Sequence, residues 1–438
     1  MTTPIFDFLK KYAQSGYARL HMPAHKGCGP LGEALDITEV TGADALYEAD
    51  GIIKESEENA SAIFGASTFY SAEGSSLAIR GMVYLLSLYA ASVGKKPRIL
   101  ATRNAHKSFI SAVTMLDTEL RWVVGKADSY ISSSVTASDI RDALRDADEP
   151  FTAVYVTSPD YLGNIANIAE IAGACHEFGA LLVVDGAHGA YLKFLSRPMH
   201  PIDLGADMCC ASAHKTLPVL TGGAYLHVSS CAPEVLRENA KSAMAAFGST
   251  SPSYLILSSL DRFNANIPNF SEFCNTVEDM KRLIADAGYV TVGDEPMKIT
   301  IDAKAYGYRG VELREELCLR GVSPEFADED FLVLMPSPSN SQLELDRVIS
   351  ALFTIPKRAK ILTRPPAFVL PQRILSPRAA ALSPRETVSL DSALGRVLAN
   401  ASVGCPPAIP IAVAGELIGE HEIEVFRYYG YEKLTVVR

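Results

Sequence analysis

Residues 181–191, LLVVDGAHGAY, and residues 206–217, ADMCCASAHKTL, decide the fold. Each begins as a short apolar run and ends in a cluster of polar side chains. A run of that length without alternation fits a strand buried on both faces, as in a parallel sheet. IANIAEIAGACHEFG, residues 165–179, precedes the first run as a helix with Gly179 past its end. GGAYLHV, residues 222–228, follows the second as another strand.

The alternation extends outward. FYSAEGSS (69–76) is a strand end and a Gly/Ser turn, and LAIRGMVYLLSLYAASVG (77–94) is a helix closed by Gly94. PRILATR (97–103), RWVVG (121–125) and FTAVYVTSPDY (151–161) read as strands, and TASDIRDALRDAD (136–148) as a helix capped by Thr136 or Ser138. Strands alternating with helices predict an α/β fold with a mostly parallel sheet of the seven-stranded type, covered on both faces. Ligands of such sheets bind in the loops after the strands.

Beyond Ser230 the helices lengthen, over Ala232–Ala246, Ser253–Phe263 and Ser271–Ala287. KITIDA (298–303) and DFLVLMP (330–336) read as strands flanking the helix Gly310–Arg320, a smaller α+β unit. The Pro-rich stretch 364–386 leads to a terminal piece ending in CPPAIPIAVAGE (405–416), a short helix and LTVV (434–437). The expected division is an arm and loop over 1–65, a large ligand-binding domain over 66–265, an α+β domain over 266–360 and a terminal domain over 361–438. No internal repeat is present.

Composition narrows the function. Of 438 residues, 48% are hydrophobic and 21% charged, and 30 Gly with 25 Pro stay far below low-complexity levels. With 40 basic and 51 acidic side chains the net charge is −11 and no basic run occurs, which argues against nucleic-acid binding. An acidic chain tolerates a cationic ligand. None of the eight cysteines forms a C-x-x-C pair, so no zinc site and no other metal site is signalled. Cys209 and Cys210 read as buried strand residues. No apolar run approaches the ~18 residues that span a bilayer. The N-terminus lacks the pattern of a signal peptide, so a reducing cytoplasm is the expected location.

Three features line up along the α/β region. Asp185 stands at the end of one apolar strand, and Lys215 follows another, thirty residues on. Gly74, Ser75 and Ser76 stand at a helix N-terminus, where free N–H groups and the helix dipole suit a phosphate. Pyridoxal 5'-phosphate needs all three: a lysine for an imine, a carboxylate to keep its ring nitrogen protonated, and a phosphate cup.

The motifs SAHKTLPVLTGGAYLHV, VDGAHGAYLKF, TSPDYLGNIANI, RNAHKS and HMPAHKG occur in order from about His21. With them the chain resembles the ornithine/lysine/arginine decarboxylases of aminotransferase-like fold, in their short form without the N-terminal wing. LSPRE, ALGRV and CPPAIPIAVAGE resemble that family's C-terminal domain. The resemblance implies a pyridoxal-phosphate fold of type I that decarboxylates a basic L-amino acid to an amine and CO2. Arginine or lysine is favoured and ornithine is within reach. It also implies a homodimer, or a multiple of dimers, with active sites shared between subunits.

Carried over by motif, Lys215 would be the Schiff-base lysine and Asp185 the partner of the ring nitrogen. His188 would lie near the phenolic oxygen. Ser212 and His214 would contact the phosphate or the substrate adduct, and Lys215 or His214 would return a proton to Cα. His106 would stack on the ring, Thr157 or Ser158 would lie near it, and Gly74, Ser75 and Ser76 would cup the phosphate. The chain departs from the family's usual residues at Ala24, Gly186, Tyr191 and Ala408.

Plainer readings stand beside these. Lys215 alone is a lysine at a strand end, Asp185 a turn residue, His106 a loop histidine, and Gly74–Ser76 a helix start. His25 and Lys26 are either catalytic or part of a structural loop. Glu325 either faces a cationic side chain or is exposed. The same fold also runs transamination, aldol cleavage and elimination, and a non-catalytic relative would keep the fold alone.

Overall fold

A computed structural model describes every residue except 127, 401 and 405–408, and only the backbone of 402–404. Cys405 and the departure at Ala408 lie outside the described residues. Seven strands make the large sheet: β1 (Ser67–Ser71), β2 (Arg98–Thr102), β3 (Glu119–Val123), β4 (Ala153–Thr157), β5 (Leu181–Asp185), β6 (Met208–Ala211) and β7 (Ala224–Val228). Their order is β1-β7-β6-β5-β4-β2-β3. β5 and β6 run parallel with Val183 opposite Met208, while β7 is antiparallel to both β6 and β1. This is the expected mostly parallel α/β sheet. Every residue of β5, β6 and β7 is buried, which is why these strands read as continuous apolar runs.

The chain forms two compact units. The first comprises Met1–Ile99, Ala147–Tyr155 and Ile168–Pro268. Its core includes the helix Gly74–Ser92, which buries Leu77, Ile79, Met82, Val83, Leu85 and Leu86. Each such side chain contributes about 1.5–3 kcal/mol by leaving water. The helix expected over Ala232–Ala246 is two short helices, Glu234–Glu238 and Ala240–Ala245. They break at Asn239, whose side chain donates to the Val235 carbonyl at 2.8 Å. A side-chain amide bonding its own backbone competes with the helical ladder.

The second unit comprises Leu100–Asp146, Val156–Asn167 and Asn269–Arg438. It holds a four-stranded antiparallel sheet of β8 (Val290–Val292), β9 (Ile299–Asp302), β10 (Phe326–Ala327) and β11 (Phe331–Leu334), in the order β10-β11-β9-β8. Two further ribbons pair β12 (Arg385–Ser389) with β15 (Lys433–Val437), and β13 (Ser402–Gly404) with β14 (Pro410–Val413). Around them Tyr130, Leu390, Leu398, Ile411, Phe426 and Val436 form one apolar cluster. Among the described residues no helix is long and apolar enough to cross a membrane, and no cluster of metal-ligating side chains occurs.

Candidate cofactor site

The first unit gathers most of the predicted site. Asp185 is the last residue of β5 and is 1% exposed. Its Oδ2 accepts a hydrogen bond from the Tyr155 hydroxyl at 3.0 Å. Its Oδ1 accepts from the Ala187 N–H at 3.2 Å and from the Cys210 thiol at 3.4 Å. All three donors are uncharged, and among the described residues no cation pairs with this carboxylate. Burial, and then the Asp185 charge, push the Tyr155 hydroxyl well above its ordinary pKa. The same two causes, in the same order, raise the Cys210 thiol. Both donors therefore keep their protons.

Lys215 lies in the short helix Ala213–Thr216 that follows β6, one turn after its N-cap Ser212. Its Nζ is 3.1 Å from His188 Nε2, which the loop after β5 supplies. The Ser212 hydroxyl donates to the Ser75 hydroxyl at 2.8 Å, joining the lysine loop to the start of the helix Gly74–Ser92. His214 Nδ1 lies 3.0 Å from the Gly223 carbonyl. A carbonyl only accepts, so Nδ1 is the donor in that contact.

Gly74 has φ +72, opens that helix, and donates its N–H to the Gly222 carbonyl at 2.7 Å. Gly222 has φ +99, and a Cβ there would stand 2.8 Å from the Ala72 carbonyl oxygen. Only glycine fits that close approach. No side chain caps the helix, and Ser76 follows in its first turn.

His106 and Thr157 belong to the second unit. His106 is the N-cap of the helix Lys107–Leu116, with Nδ1 3.0 Å from the Ser108 hydroxyl and its ring exposed. Thr157 ends β4, and its hydroxyl oxygen is buried without a hydrogen-bond partner. The Asn104 amide donates to the Thr157 carbonyl at 3.3 Å, so the two loops are tied together. Ser158 instead accepts from the Ala166 N–H at 3.0 Å.

The other singled-out residues have local partners. His25 Nε2 pairs with Asp36 at 3.1 Å and its Nδ1 accepts from the Gly27 N–H. Lys26, at φ +54, donates to the His21 carbonyl. These are bonds that shape a loop. Glu325 is exposed and accepts from the Tyr161 hydroxyl at 3.2 Å. Gly186 donates its N–H to the Cys210 carbonyl, and Tyr191 is fully buried. Sequence reasoning missed Tyr155, Cys210 and Gly222. The one signal for Tyr155 was a tyrosine inside a buried strand, where its hydroxyl must find a partner.

Two observations test this unit against pyridoxal phosphate. A buried carboxylate with only neutral donors has an uncompensated charge, which a protonated ring nitrogen would balance. A Cβ on Gly74 would meet no atom within 4 Å, so the uncapped helix start has room beside it. The residues fit the cofactor.

Comparisons with known proteins agree. The family described as "Orn/Lys/Arg decarboxylase, major domain" matches residues 3–284, and "Orn/Lys/Arg decarboxylase, C-terminal domain" matches residues 368–433. The chain is 29% identical over 462 residues to "Uncharacterized protein YaaO" of Bacillus subtilis, covering 97% of this chain and 93% of that one. It is 29% identical over 466 residues to "Arginine decarboxylase" of Halalkalibacterium halodurans, with the same coverage. In fold it is similar to "Lysine decarboxylase A from Pseudomonas aeruginosa", at TM-score 0.80 and 17% identity, covering 99% of this chain and 80% of that one. The chain belongs to the Orn/Lys/Arg decarboxylase family and is a pyridoxal-phosphate-dependent carboxy-lyase.

Proposed function

We propose that the chain removes the α-carboxylate of a basic L-amino acid, with arginine the favoured substrate, releasing CO2 and the corresponding amine. The observation that carries this reading is the set within one unit: a cation-free buried carboxylate, Asp185, and a lysine, Lys215, 3.1 Å from His188. Bound pyridoxal phosphate supplies the electron sink that accepts the pair left behind as CO2 departs.

The protein's part is to bind, to orient and to move protons. Asp185 holds the proton at the ring nitrogen. Lys215 Nζ is the covalent anchor, and His188 orients it through their contact. By the family resemblance, His106 would stack on the ring and Thr157 would lie near it. Gly74, Ser75, Ser76 and Ser212 hold the phosphate. Lys215 or His214 returns a proton to Cα. Arginine is favoured because the relative from Halalkalibacterium halodurans bears that name over nearly its whole length. Lysine and ornithine share its cationic character and differ in length and head group.

The working form is a homo-oligomer whose subunits share active sites. The N-terminal arm supports this: Tyr17, Leu20, Met22 and Leu31 are each at least 72% exposed, apolar surface of the kind that seats against another chain.

The deciding experiment measures CO2 release from arginine, lysine and ornithine in parallel. Release from arginine, with light scattering giving at least a dimer, is the expected result. Release from lysine or ornithine alone would move the substrate. Keto-acid formation without CO2 would overturn the reaction.

A further inference from the structure

Tyr155 and Cys210 lie outside the motifs that carry the family resemblance. We propose that these two residues are positioning residues for Asp185. They are uncharged donors that fix the carboxylate's orientation and leave its negative charge for a cationic ring nitrogen to complete. This rests on the reading of Asp185 as the cofactor's carboxylate.

The geometry argues it. Tyr155 is central in β4 and wholly buried, and its hydroxyl reaches Oδ2 at 3.0 Å. Cys210 lies on β6, opposite Asp185 in the parallel register, and its thiol reaches Oδ1 at 3.4 Å. The carboxylate is therefore held from the strands on either side of its own, one donor to each oxygen. With the Ala187 N–H it has three donors and, among the described residues, no ion-pair partner.

A structural aspartate buried this deeply is ordinarily matched by Lys, Arg or His, because an unpaired buried charge is costly. A lysine or arginine in place of Tyr155 would neutralise Asp185 and remove its pull on a protonated ring. A plain apolar residue would leave Oδ2 without a donor and the carboxylate free to turn. A tyrosine avoids both, and so does a cysteine on the other oxygen. Neither donor gains charge, since burial keeps both protonated.

The test compares Tyr155→Phe, Cys210→Ala, Cys210→Ser and Asp185→Asn as purified holoenzymes. Cofactor dissociation is read by equilibrium dialysis, and cofactor orientation by its visible circular dichroism. Steady-state kinetics and a thermal midpoint complete the set. Tyr155→Phe keeps the ring's shape and loses one hydrogen bond to a charged group, so cofactor binding should weaken about 10-fold. The visible dichroism should change, and kcat should fall while the substrate KM stays within about 2-fold. Cys210→Ala should do the same to a smaller extent, and Cys210→Ser, which restores a donor, should recover it. A residue that served only to fill the core would lower the midpoint and leave the dichroism and kcat alone.

The two readings fail separately. If Asp185→Asn loses cofactor while Tyr155→Phe and Cys210→Ala match the parent in affinity, dichroism and kcat, the positioning proposal is wrong and Asp185 keeps its role. If Asp185→Asn itself binds cofactor as the parent does, the role of Asp185 falls, and the proposal with it. Should Tyr155→Phe not fold, the Cys210 pair decides on the same criteria.

Discussion

At the scale of single residues, Lys215 and Gly222 lend themselves to direct tests. Lys215→Ala removes the amine placed beside His188, at 3.1 Å. It should abolish turnover. Borohydride treatment of the parent should fix the cofactor to the peptide containing Lys215, and the variant should show no such label; near-parental kinetics would exclude Lys215 as the anchor. Gly222→Ala acts through the backbone. It forces a side chain into φ +99 and to 2.8 Å from the Ala72 carbonyl, next to the N–H contact that opens the helix Gly74–Ser92. Strain of about 1–3 kcal/mol at such a position corresponds to roughly a 5- to 150-fold loss where the strained loop holds a ligand. The expected outcome is weaker cofactor retention in dialysis with an unchanged borohydride-labelled lysine. Asp185 and Lys215 could be singled out in the sequence because one ends an apolar strand and the other follows one, and strand ends are where such sheets bind ligands. Tyr155 was not, because a tyrosine within FTAVYVT gives no sign of which carboxylate its hydroxyl will meet.

At the scale of elements, periodicity gave the strands and not their company. The runs LLVVD and MCCA announce buried strands, yet GGAYLHV, the antiparallel neighbour of MCCA, carries no mark of its direction. Long-range pairing is illegible for the same reason. Arg103 follows β2, and Glu416 follows β14. The two meet in the second unit as a bidentate pair, both contacts 2.7 Å and both side chains at most 1% exposed. Arg103 also donates to the Pro410 carbonyl and stacks over Trp122, while Glu416 accepts from the Val413 N–H. The pair thus fastens the C-terminal ribbon to the loop that carries Asn104 and His106. Breaking it from one side strands a buried charge. Glu416→Ala should cost about 3–5 kcal/mol of stability, seen as a lowered denaturation midpoint. Arg103→Met combined with Glu416→Leu removes both charges and should recover most of that loss. A double variant as unstable as the single one would show that packing, not the stranded guanidinium, is responsible.

At the scale of the whole molecule, charge and burial were readable from composition, and the chemistry of individual buried histidines was not. His200 is 1% exposed, and neither ring nitrogen has a hydrogen-bond partner. Its ring packs against Phe64 and His227 at centroid distances of 5.5 and 5.2 Å. His227 Nδ1 contacts the Thr68 hydroxyl while its Nε2 is unpartnered. Burial drives His200 from 6.5 down to about 3, with Asp203 opposing and Lys193 adding to the shift. Burial likewise holds His227 well below its ordinary value, with His200 and Lys193 adding to it.

Between pH 6.5 and about 3 the unfolded chain therefore binds a proton at His200 that the folded chain refuses. Stability must fall as the pH falls through that window, by up to about 1.4 kcal/mol per pH unit for this residue. The carboxyls of Glu57, Asp261 and Asp328 oppose it, because burial raises each to about 6 and the folded chain takes up those protons first. Acid denaturation of the parent alone thus mixes two signs, and a difference between variants isolates one. His200→Phe suits the aromatic cluster and has nothing to protonate. Relative to the parent, its thermal midpoint should rise progressively from pH 7 to pH 4.5, while the carboxyl contributions cancel in the difference. A gap between the two midpoints that stays constant with pH would mean that His200 finds a proton, or a partner for one, in the folded protein.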